Sequence, residues 1–208
     1  YSDTDESAYS CEEMLERVVK ISKDPSEDFI YTYVEEPDAV MHALGTDHEY
    51  VKENVKYINS LVCEISEMLK DSLIIVMADH GLIDTQTIYM EDYPKLQDML
   101  ERRPSIETRA LNFYVKEEYK EQFKNEFNKA FENDFLLLSK EEIYEKKLFG
   151  TGEKNPKIDE FVGDYMAFGI GDKAIEWNRD DFKMAARHAG LTQEEMEVPL
   201  IIIDTNKV

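Results

Sequence analysis

The sequence predicts an α/β chain: a largely parallel sheet flanked by helices, with an inserted α+β subdomain. Three observations carry this. Short apolar runs of strand length alternate with stretches whose apolar residues recur every three or four positions. The run Leu73–Ala78 has no polar alternation, the pattern of a strand buried on both faces of a parallel sheet. No apolar run approaches the roughly 20 residues of a membrane-crossing helix. A length of 208 residues suits one domain or one with a small insertion.

Taken in order, Met14, Leu15, Val18, Val19 and Ile21 form a helical stripe, which Asp24-Pro25-Ser26 breaks. Phe29–Val34 is aromatic and β-branched and predicts a strand. A short helix follows up to Gly45. A long one then shows Val51, Val55, Ile58, Leu61, Ile65 and Met68 on one face. Asp71 closes it before the apolar strand at 73–78. Residues 84–108 lack a clear period. Ala110–Val115 is a strand, Tyr119, Phe123, Phe127 and Phe131 line the core face of a helix, and Phe135–Leu138 is a strand. A short helix at 140–147, a glycine-containing loop and strands at 165–171 and 199–204 complete the chain. These divide into a core at 1–83, an inserted subdomain at 84–175, and a return to the core at 176–208.

The net charge of −22 argues against partners that need a basic surface, namely nucleic-acid backbone or anionic membrane. It leaves a small phosphorylated substrate open, because bound cations invert local charge. Cys11 and Cys63 fall on helices without metal-type spacing and read as idle thiols. His48 reads as a surface residue near a helix start. Glu107 and Arg109 are candidates for gripping a phosphate, with a surface ion pair as the alternative.

The chemistry lies in the other histidines. Asp38 follows one strand-like run and lies four residues before His42, so the pair can face one way from a first helical turn. A carboxylate and an imidazole so placed suit zinc; an N-capping Asp beside a surface His is the alternative. Ala78-Asp79-His80-Gly81 stands at the carboxyl end of the central strand, where open α/β sheets place ligands, and Gly81 permits a sharp turn. His188-Ala189-Gly190 precedes the last strand. Together they resemble the donor set of a two-metal phosphoesterase.

In this order the blocks Tyr33–His42 with Gly45, Ala78–Gly81, and His188 and Gly190 with Val198-Pro199-Leu200 resemble the type I phosphodiesterase/nucleotide pyrophosphatase family of the alkaline phosphatase superfamily. The resemblance runs from the helix near residue 11 to the end. It implies an alkaline-phosphatase-like fold and two divalent metal ions, zinc with manganese as the alternative. Asp38, His42 and His188 would hold one, and Asp79 and His80 the second. It implies hydrolysis of a phosphodiester, pyrophosphate or phosphomonoester of a small substrate through a covalent phospho-enzyme. The family's nucleophile block has no counterpart here, since Thr4 and Ser7 lie in a polar opening stretch. The chain is therefore expected to be a C-terminal portion with an incomplete sheet, inactive alone and prone to self-association at an exposed edge. No catalytic nucleophile or substrate contact is assigned, and the compartment is left open, leaning towards the cytoplasm. Phosphomutases and sulfatases of the superfamily, and a non-catalytic metal-binding module, are the alternatives.

Overall fold

The computed structural model describes residues 10–24, 29–181 and 183–207. Thr4, Ser7 and the break at Pro25-Ser26 lie outside them. In chain order the helices are α1 (Cys11–Ile21), α2 (Asp38–Leu44), α3 (Glu49–Met68), α4 (Pro94–Asp98), α5 (Lys120–Phe131), α6 (Lys140–Glu145), α7 (Ile158–Phe161) and α8 (Gln193–Met196). The strands are β1 (Leu73–Met77), β2 (Ile83–Asp84), β3 (Gln86–Tyr89), β4 (Ser105–Glu107), β5 (Ala110–Phe113), β6 (Phe135–Ser139), β7 (Tyr165–Gly169), β8 (Lys173–Glu176), β9 (Ala186–Arg187) and β10 (Leu200–Asp204). They form two compact units. The first holds the described residues up to Met41, with Asp47–Asp79 and those from Pro199; the second holds His42–Thr46 and His80–Val198.

In the first unit α1 starts at Ser10, whose side chain accepts from the Glu13 N–H at 3.1 Å. Glu12 and Glu13 in its first turn and Lys20 in its last complement the helix dipole. His48 caps α3, its Nδ1 accepting from the Tyr50 N–H at 3.2 Å, in keeping with its reading as a cap-region residue. The two helices pack through Val19, Ile65 and Leu69, joined by Leu15, Val18 and Ile74. Cys11 and Cys63 are free thiols on α1 and α3.

β1 is where the sequence expects a strand, but not in the setting expected. It pairs antiparallel with β10, Leu73 opposite Asp204 and Met77 opposite Leu200. Leu73, Ile75 and Met77 on one strand, and Leu200 and Ile202 on the other, are each more than half exposed. An apolar run states what a strand can bury; its neighbours decide what it does bury. Residues 29–34, expected to be a strand, form no ladder among the described residues, and Phe29 is 81% exposed. The α/β class holds, although β3–β8 is the one parallel pairing among the described residues.

The second unit carries the main core. β4-β5-β7-β6 is an antiparallel sheet, and α5 lays its aromatic stripe into the core beside it. Phe123, Phe127 and Phe131 are buried with Phe113, Phe135 and Leu111. Phe127 and Phe131 meet edge to face at 4.9 Å between ring centroids. Ser139 and Glu142 form a capping box that starts α6 at the end of β6. The short pairs β2–β9 and β3–β8 complete the unit.

Candidate metal centre

α2 begins at Asp38 and stops at Gly45, whose φ of 89° is the left-handed conformation that ends helices. Asp38 and His42 thus stand one turn apart on the same helix. The end of α2 is fastened inside the second unit. The Thr46 N–H donates to Asp84 Oδ1 at 2.7 Å, and the Ala185 N–H donates to the His42 carbonyl at 2.7 Å. His42 Nδ1–H in turn donates to the Ala186 carbonyl at 2.8 Å. A carbonyl only accepts, so the neutral ring carries its proton on Nδ1.

The β2–β9 ladder sets Ile83 opposite Arg187 and Asp84 opposite Ala186, which brings the chain after Asp79 beside the chain entering His188. The Gly81 N–H donates to the Glu195 carbonyl at 2.9 Å. A Cβ at Gly81 would lie 2.0 Å from the Glu194 carbonyl oxygen, so the close approach requires glycine. His80 Nδ1 is 3.2 Å from the Gly81 carbonyl. Ala189, directly after His188, has φ 78°, a strained value for a residue with a Cβ. The outcome is that three of the four histidines converge in this unit. His80 stacks on His188 at 3.9 Å between centroids, and His42 lies 5.1 Å from His188.

The carboxylates expected to complete the donor set belong to the first unit. Tyr33 donates its hydroxyl to Asp79 Oδ2 at 3.4 Å. The negative charge of Asp79, then desolvation, the bond to Asp79, and the charges of Asp38 and Glu35 push the phenol above its ordinary value. Asp38 and Asp79 therefore share one acidic neighbourhood around Tyr33.

A cavity of about 400 Å³ in the second unit is lined by His42, His188, Arg103, Glu107, Thr108, Glu176, Asp181, Met184 and Arg187. Its arginines are engaged. Arg103 pairs with Asp181 at 2.6 Å, and Arg187, 2% exposed, pairs with Glu176 at 2.9 Å and donates to Thr85 Oγ1. Glu107 lines this cavity, but Arg109 does not. Arg109 is fully buried and bidentate on Glu195, Nε to Oε1 and Nη2 to Oε2 at 2.6 Å each, so it is neither a phosphate grip nor a surface pair. Sequence reasoning missed Glu195, which looks like one more acidic residue of a short helix. Its only local sign is Thr192 three residues earlier, the signature of a capping box, which is present.

Residues 4–168 match the type I phosphodiesterase/nucleotide pyrophosphatase family, and the chain belongs to that family. Its fold is that of several solved structures. Murine ectonucleotide pyrophosphatase/phosphodiesterase 5, in an inactive form in complex with AMP, is 18% identical, with a TM-score of 0.72 over 93% of this chain and 52% of that one. The human form of that protein is 15% identical, with a TM-score of 0.75 over 94% and 52%. Phosphonoacetate hydrolase from Sinorhizobium meliloti 1021 in complex with phosphonoformate is 17% identical, with a TM-score of 0.66 over 92% and 49%. The chain spans about half the length of these structures. No curated protein sequence matches it significantly.

Proposed function

We propose that this chain supplies the metal-binding part of a phosphoester hydrolase acting on a phosphodiester or pyrophosphate. The observation that carries the reading is the convergence of His42, His80 and His188, with His42 Nδ1 held on the Ala186 carbonyl. Neutral imidazoles and carboxylates are the donor set of zinc, with manganese as the alternative. By the family resemblance, Asp38, His42 and His188 would hold one such ion, and Asp79 and His80 a second. Two divalent cations supply charge neutralisation at the attacking and leaving oxygens of an in-line displacement. This chain's own part is to hold the imidazoles in place and to bind the ester group in the cavity beside His42 and His188. Because its arginines are already paired with Glu176 and Asp181, the cavity orients substrate by hydrogen bonds more than by net positive charge.

The exposed apolar residues of β1 and β10 support a second element of the proposal, association of the chain through that sheet. Zinc content and affinity, measured on the purified chain, His42→Ala and His188→Ala, test the metal reading. Stoichiometric zinc lost in both variants is the expected result. Uptake indifferent to both substitutions would remove the basis of the assignment.

A further inference from the structure

We propose that Glu195 is a positioning residue: it fixes His80 and His188 relative to each other by tying together the two segments that carry them. The inference rests on the metal reading above for its consequence, but not for its geometry. The Glu195 carboxylate faces donors only. Oε1 accepts from Arg109 Nε at 2.6 Å and from the Gly190 N–H at 2.8 Å, and Oε2 accepts from Arg109 Nη2 at 2.6 Å and from the Thr192 hydroxyl at 2.8 Å. Gly190 and Thr192 are the second and fourth residues after His188, so the carboxylate grips the loop that carries this histidine. The main-chain carbonyl of the same residue receives the Gly81 N–H, one residue beyond His80. Loss of the side-chain grip loosens the first turn of α8, and with it the carbonyl that holds the His80 turn.

Arg109 serves as the anchor. It also donates to the carbonyls of Lys173 and Gly171, which fix it to the loop and strand after β7. The grip leaves no spare room, since a Cβ at Gly190 would fall 2.5 Å from both Arg109 Nη2 and Glu195 Oε2. It also holds Ala189 in its left-handed conformation, which an untethered loop would abandon. A buried ion pair is a weak source of net stability, because well-packed apolar residues often serve as well. Its directional bonds onto two histidine segments give it a geometric role that apolar packing would not supply. Groups that orient metal-binding histidines typically change metal affinity by about 10–100-fold when removed.

The test uses Glu195→Gln in the full chain. Glutamine keeps size and shape, but its amide nitrogen must face donors on one side, so the loop loses at least one anchor. Two readouts are taken: the ring-proton NMR resonances of His80 and His188, shifted by their stacking, and zinc affinity. Expected are displaced resonances for both rings in a cooperatively folded protein, and affinity weaker by about 10-fold or more. Thr192→Val, which leaves the ion pair intact and removes one anchor, should move the same resonances by less, and it decides the matter if Glu195→Gln does not fold. His188→Ala separates the two ideas. If it abolishes zinc binding while Glu195→Gln and Thr192→Val keep wild-type rings and affinity, the positioning role is overturned and the metal reading stands. If the wild type takes up no zinc, the metal reading falls, and the ring resonances alone judge Glu195.

Discussion

Arg109→Met would leave the Glu195 carboxylate with 1% side-chain exposure and no counter-charge. Removing one partner of a buried ion pair costs about 3–5 kcal/mol, because the survivor is a desolvated charge. For a unit of about 120 residues, 1 kcal/mol shifts Tm by roughly 4 °C, so a fall of about 12–20 °C is expected. Replacing both partners, Arg109→Met with Glu195→Met, should recover most of the loss, since no charge is then stranded. The pH dependence has a definite sign. Burial pushes the Glu195 carboxyl up, but hydrogen bonds from Arg109, Thr192 and Gly190, with the Arg109 charge, bring it below its ordinary value. A carboxyl lowered by folding contributes stability that is complete above its unfolded pKa of about 4.3 and is lost as pH falls through the folded value. In Arg109→Met the lowering is gone, so the gap between variant and wild type should be widest near neutrality and narrow on acidification. Thermal unfolding followed by circular dichroism across that range gives the answer. A fall of only a degree or two at pH 7, or a double variant less stable than the single one, would refute the reasoning.

Two further outcomes follow from the packing and the acidic neighbourhood. Phe127 is fully buried among Phe113, Phe123, Phe131 and Phe135, so Phe127→Ala should cost about 3–5 kcal/mol by urea unfolding; less than 1 kcal/mol would mean that this aromatic cluster is not the main core. Asp79→Asn removes the largest cause holding the Tyr33 phenol up, so its titration, followed by NMR of ring-labelled tyrosine, should move down towards about 10; an unmoved titration would deny the contact.

What the sequence by itself determined was local. The helical stripes at 11–21, 51–68 and 119–131 and the strands at 73, 110, 135, 165 and 200 are set by apolar periodicity, which needs no knowledge of partners. The histidines worth attention were legible too, because Asp38 to His42 is a helical turn and Asp79-His80-Gly81 ends a strand. Pairing was another matter. Residues 29–34 have the composition of a strand and form no ladder, and β1 carries the run of a doubly buried strand yet shows an apolar face to solvent. Strand identity depends on which neighbours arrive, and composition is silent on that. Arg109 and Glu195 stand 86 positions apart, so their union is a property of the folded second unit alone. The convergence of His42, His80 and His188 is likewise a tertiary fact, made by the β2–β9 ladder and the bonds at the end of α2. Short-range periodicity fixes elements because each turn or pleat is stabilised locally; a site built from three distant segments exists only once long-range packing has closed it.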